Sequence, residues 1–113
     1  MPAFITSQPQ PNTIVVHFGA QAIGGPDAVE LASILREGVT AGVGTVVFDL
    51  AAVDVMNSSG LGMLVSSLTT LKKSDSAFFL AAVPEKVMAL LTMTHLTTVF
   101  MIVPTVDDAV NAQ

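Results

Sequence analysis

A chain of 113 residues suits one domain, and a net charge of -5, from four basic against nine acidic residues, leaves too few cations to neutralise a run of nucleic-acid phosphates. Hydrophobic residues make up 51% and charged residues 12%, enough apolar side chain for a large core and too much for a disordered chain. Cysteine is absent, which excludes a disulfide scaffold, a zinc-thiolate site and a thiol nucleophile together.

The N-terminal Met1-Pro2-Ala3-Phe4 lacks a charged region followed by an apolar run, so no signal peptide is read and a cytoplasmic protein is expected. Residues 3–7 are predicted as a short strand and Gln8 to Asn12, with two prolines, as a turn. Thr13 to Phe18 is β-branched and aromatic and ends at Gly19, the pattern of a strand that could pair with the first as a hairpin. Gly24-Gly25-Pro26-Asp27 then opens a helix, with Ala28, Leu31, Ala32, Leu35 and Val39 at helical spacing and Gly42 and Gly44 closing it. Val43 to Leu50 is a short apolar run, predicted as a buried central strand.

Asn57-Ser58-Ser59-Gly60 starts a second helix with Leu61, Leu64, Val65, Leu68 and Leu71 on one face and Lys72 and Lys73 at its end. Ala77 to Ala82 reads as a strand and Pro84-Glu85 as the start of a third helix. Mean hydropathy is +0.70, but the most apolar stretch, Val87 to Val103, holds four threonines and His95 and stops at Pro104. It falls short of the roughly 20 apolar residues of a spanning helix and divides into helix, turn and a strand from Thr97 to Val103. A terminal helix is predicted from Pro104 to Asn111. The order β-β-α-β-α-β-α-β-α implies a single α/β domain over residues 1–113, with a mixed, mostly parallel sheet of four to five strands and about four helices.

Catalytic patterns are poor. His17 lies in a strand and His95 beside a helix end, and neither is matched in sequence to a carboxylate or nucleophile. Asp49 and Asp54 flank the loop after the central strand and could bind a metal, though a capped turn and a solvated acid account for them more simply. The six methionines read as core filler. No metal or cofactor is expected.

The segment Asp54 to Gly62 stands apart. It joins the carboxyl end of the most buried strand to a helix N-terminus, the edge where open α/β sheets build sites. Ser58 and Ser59 fall at the expected N-cap, where the first N–H groups lack intrahelical partners and an anion is stabilised. Gly60 and Gly62 allow a second backbone close approach. A plain helix cap and a modifiable serine both fit these residues.

Thr45 to Lys73, TVVFDLAAVDVMNSSGLGMLVSSLTTLKK, resembles the signature of the STAS domain of bacterial anti-sigma factor antagonists. The family pattern is an apolar strand ending in Asp-Leu, then Val-Asp/Ser-x-Met-Asp-Ser-Ser/Thr-Gly-Leu-Gly and an amphipathic helix. Pro84 to Leu96 and Asp107-Asp108-Ala109 are similar to the family's third helix and last helix start. The resemblance implies a non-enzymatic regulator of transcription working by partner switching. The unphosphorylated antagonist binds an anti-sigma factor that is also a serine kinase, phosphorylation of the first serine of the motif releases it, and a serine phosphatase resets it.

By motif position Ser58 is the phosphoacceptor and Ser59 its neighbour. Met56, Asn57, Ser58, Ser59, Gly60, Leu61, Gly62 and Met63 form the expected partner-binding stretch, without nucleic acid or membrane insertion. Three positions depart from the family: Asn57 replaces the acid before the first serine, Ala22 replaces a partner-contacting acid after the second strand, and His95 replaces a small glycine after the third helix. Asn57 and Ala22 favour an alternative, a STAS scaffold or binding subunit not regulated by phosphorylation, in a stress-sensing assembly or beside a transporter. A small enzyme or ligand binder built on Asp49 and Asp54 is the third reading.

Overall fold

The computed structural model describes residues 4–112. Its main sheet contains β1 (Phe4–Gln10), β2 (Thr13–Phe18), β4 (Thr45–Asp49), β6 (Ala77–Ala81) and β7 (Met101–Val103), side by side in that order. Two further strands of two residues each, β3 (Gln21–Ala22) and β5 (Val55–Met56), pair with each other. The helices are α1 (Pro26–Thr40), α2 (Ser58–Lys73), α3 (Glu85–Met93) and α4 (Val106–Asn111). β1 runs antiparallel to β2, and every other neighbour in the main sheet is parallel. The expected mixed, mostly parallel sheet with four helices is therefore present, in the expected order.

β4 is central because both its faces are apolar: Val46 and Phe48 point one way, Val47 the other, and all three are buried. On the first face Val16, Phe48 and Leu80 meet Leu31 and Leu35 of α1, Leu61, Leu64 and Leu71 of α2, and Val87 and Leu91 of α3. On the second, Val15, Val47, Phe79 and Ala81 meet only α4, through Ala109 and Val106. Among the described residues three helices thus cover one face and the short α4 the other. Phe4, Phe18, Phe48, Phe78 and Phe100 form a row across the first face, with neighbouring ring centroids 4.8, 5.0, 4.6 and 6.2 Å apart.

Several boundaries move. β1 continues to Gln10, through Pro9, and the turn is only Pro11 and Asn12. An edge strand tolerates proline, and the pairing with β2 slips between Ser7 and Gln10. Ala3, the predicted start of that strand, lies outside the described residues. The last strand is Met101–Val103 rather than Thr97 to Val103, because a turn closed by the Val99 N–H donating to the Leu96 carbonyl takes up the residues before it. α4 begins at Val106, two residues after Pro104, since Thr105 is its cap: its hydroxyl accepts from the Asp108 N–H at 3.1 Å.

The first three helices end alike. In each, the N–H two positions past the last capping residue returns to the carbonyl five residues back: Val43 to Gly38, Ser76 to Leu71, Leu96 to Leu91, at 3.0, 3.0 and 2.8 Å. This closure needs a left-handed residue, supplied by Gly42 (φ 83°), Asp75 (φ 57°) and His95 (φ 59°). His95, at the glycine position of the family, therefore holds a conformation that costs a side-chain-bearing residue about 1–2 kcal/mol.

Candidate functional site

β4 delivers the chain to the carboxyl edge of the sheet at Asp49, and the following loop is pinned there. The Leu50 N–H donates to the Ala81 carbonyl at 3.0 Å, and the Asp54 and Val55 N–H groups both donate to the Ala20 carbonyl, at 2.7 and 3.0 Å. β5 then pairs with β3, Gln21 opposite Val55 and Ala22 opposite Met56. This small ribbon fixes where α2 begins.

The residue that caps α2 is Asn57. Its backbone is extended (φ -107°, ψ -174°), and its Oδ1 accepts from the Gly60 N–H at 2.8 Å. Ser58 and Ser59, expected at the cap, instead occupy the first two helical positions, so their hydroxyls are free of the capping role. Both are exposed. Their own N–H groups have no intrahelical acceptor in helical geometry, and no acid lies in the first turn of α2. The nearest upstream acid, Asp54, faces Lys86 at 3.4 Å. An anion on Ser58 thus meets the positive end of the helix and no adjoining first-turn carboxylate. Asn57→Ala is expected to destabilise the domain by about 1 kcal/mol, read as a lower urea midpoint at unchanged slope.

Gly60 backs directly onto the Ala22 carbonyl oxygen, and a Cβ built on Gly60 would overlap it. Gly62 has open space where its Cβ would be. On the other side of the turn, a Cβ built on Gly24 (φ 82°) would press on the Cβ of Ser59. Small residues thus hold α2 against two neighbouring backbones.

The stretch Met56 to Met63 divides sharply. Asn57, Ser58, Ser59 and Gly62 are exposed and Met56 is half-buried, whereas Gly60, Leu61 and Met63 are buried. Those three support the turn from beneath, and Met63 also lines the groove between α1 and α2. Ala22 is likewise 1% exposed. At this position, where the family carries an acid, the alanine methyl offers neither charge nor exposed surface.

Two grooves flank the turn. One, of about 440 Å³ between α1 and α2, is lined by Gly24, Ala28, Ala32, Ser59, Gly62 and Ser66 among others. The other, of about 310 Å³ between β5 and α3, is lined by Val55, Met56, Lys86, Leu90 and Met93 among others. Ser58 lies in the chain between a residue lining the second and a residue lining the first. Val55 (46% exposed) and Met93 (77% exposed) give the second groove an apolar rim.

The two aspartates at the ends of this loop have separate partners: Asp49 Oδ2 is 2.7 Å from His17 Nδ1, and Asp54 faces Lys86. Among the described residues no group of three or more His, Asp or Glu side chains could hold a metal. His17, read in sequence as matched to no carboxylate or nucleophile, has both, since its Nε2 lies 3.0 Å from the Ser7 hydroxyl. Strand alternation puts Ser7, His17 and Asp49 on one sheet face, but bringing them together needs the pairing of three strands. His95 is exposed at the end of α3. Among the described residues no helix is long and apolar enough to cross a membrane.

The model of the STAS domain family matches residues 5–109. The chain is similar to a candidate anti-sigma factor antagonist from Thermotoga maritima, with a TM-score of 0.83, 21% identity, and 96% of this chain and 92% of that one covered. An anti-sigma factor antagonist from Mycobacterium paratuberculosis is similar at a TM-score of 0.80 and 24% identity, covering 96% and 91%. The Bacillus cell fate determinant SpoIIAA in its phosphorylated form is similar at 0.76 and 15% identity, covering 97% and 98%.

Proposed function

The chain belongs to the STAS domain family, and on that premise we propose that it is an anti-sigma factor antagonist that switches partners through Ser58. Unphosphorylated, it binds an anti-sigma factor that is also a serine kinase. Phosphorylated on Ser58, it is released, and a serine phosphatase restores it. The protein itself performs no chemistry in this cycle, which takes place in the cytoplasm.

The observation that carries this reading is the exposed Ser58 hydroxyl at the first position of α2, uncommitted to the cap because Asn57 fills it. Phosphorylation adds about -1.5 to -2 charges at pH 7. Helix polarity stabilises that charge within the domain. Across an interface the same charge must be desolvated, so a partner seated on the exposed turn and its two grooves loses affinity. The absence of the family's acid before the serine lowers the electrostatic work of placing a dianion there.

The scaffold reading, in which the same surface binds constitutively, draws its support from Asn57 and Ala22, which stand where the family carries acids. The two readings separate when the purified protein is incubated with ATP and each candidate serine kinase of its cell, and phosphate is mapped by peptide mass spectrometry. Phosphate on Ser58, abolished by Ser58→Ala, is the expected result. An unmodified protein beside a control antagonist that is modified would remove phosphorylation from the account and leave the scaffold.

A further inference from the structure

We propose that Ser7 is an activated nucleophile, a site of covalent acylation by activated carboxylic esters, with His17 as its general base and Asp49 as the positioning residue. The three side chains form one hydrogen-bonded line: Ser7 Oγ to His17 Nε2 at 3.0 Å, then His17 Nδ1 to Asp49 Oδ2 at 2.7 Å. The ionised carboxylate is acceptor only, so Nδ1 carries the imidazole proton toward Asp49. In the neutral ring Nε2 is then the free acceptor, and the Ser7 hydroxyl donates to it. That is the protonation pattern a serine needs to lose its proton as it attacks.

The line is held in place. Asp49 Oδ1 accepts from the Ala51 N–H at 3.0 Å, which fixes the carboxylate at both oxygens. His17 and Asp49 are opposite one another in the parallel pairing of β2 with β4. Both sit at the carboxyl ends of their strands, the edge where open α/β sheets carry sites. Their face is the one covered only by α4, so it is separate from the α2 turn at Ser58. Ser7 is exposed, and Ile5, directly across from His17 on the same face, is 68% exposed and offers an apolar rest for a small ester.

In the step, Ser7 Oγ attacks the ester carbonyl carbon. The new O–C bond forms, the C–O bond to the leaving aryloxide breaks, and the serine proton passes through His17 Nε2 to that aryloxide. The products are an O-acyl Ser7 and a phenol, with no oxidant or cofactor required.

The test is incubation of the intact protein with p-nitrophenyl acetate, followed by peptide mapping of acetyl groups against time. Ser58, Ser59 and Ser66, also exposed, serve as references within the same molecule. Ser7 is expected to be acetylated about 100-fold faster than those serines, the scale of general-base assistance. His17→Ala should remove that advantage and added imidazole restore part of it. Asp49→Asn should slow the reaction and Asp49→Glu recover it in part. Acetylation of Ser7 at the rate of Ser58, or a fast Ser7 indifferent to His17→Ala, overturns the proposal, and the first comparison needs no variant to fold.

Discussion

Gly60→Ala is expected to destabilise the domain by about 3 kcal/mol, the upper range of overpacking in a closed site, while Gly62→Ala, in the same helix turn, stabilises it by about 1 kcal/mol. The asymmetry comes from what each methyl group meets. At Gly60 it falls on the Ala22 carbonyl, a backbone group tied into the β3–β5 ribbon and unable to step aside as a side-chain tip would. At Gly62 it meets nothing and only removes the excess backbone freedom of glycine. Urea denaturation of the two variants reads the difference directly. Equal effects would mean that α2 does not sit against Ala22. The same clash would lift the first turn of α2, so Gly60→Ala should also weaken partner binding although Gly60 itself is buried.

Phe48→Ala is expected to cost about 3–5 kcal/mol and to lower the melting temperature by roughly 15 °C or more. Phe48 is fully buried on the central strand, and its ring lies between Phe18 at 5.0 Å and Phe78 at 4.6 Å. Its removal opens a cavity in the middle of the row and strips both neighbours of an aromatic contact. Phe4→Ala, at the end of the row on an edge strand, should cost less. A Phe48→Ala protein that melts within a few degrees of wild type would place the centre of the core elsewhere.

What the sequence disclosed follows from how local each signal is. The run Val43 to Leu50 is apolar on both faces, which only a buried central strand tolerates, and α2 repeats leucine at helical spacing, so both were legible. The ribbon of β3 and β5 was not, because strands of two residues carry no period and pair only through the ring of chain between them. Nor were the left-handed ends at Asp75 and His95, where closure of the helix overrides side-chain preference.

The site was half legible. Motif position singles out Ser58 in the sequence, whereas the capping role there points equally to the serines and to Asn57, since asparagine caps about as well, and the structure gives it to Asn57. Leu61 and Met63 lie on the apolar side of α2 and pack into the core, and Met63 also borders the groove between α1 and α2. The contact between Ser7, His17 and Asp49 joins three strands, and no single segment carries it.

In the proposed cycle, charge on Ser58 controls a binding surface. That control is tested most directly by titrating wild type, Ser58→Ala and Ser58→Asp into the purified anti-sigma factor of the same cell in a calorimeter. Wild type and Ser58→Ala should bind alike and Ser58→Asp about 100-fold more weakly, or about 2.7 kcal/mol. Equal affinity of all three would contradict switching at Ser58 and leave a constitutive binding module.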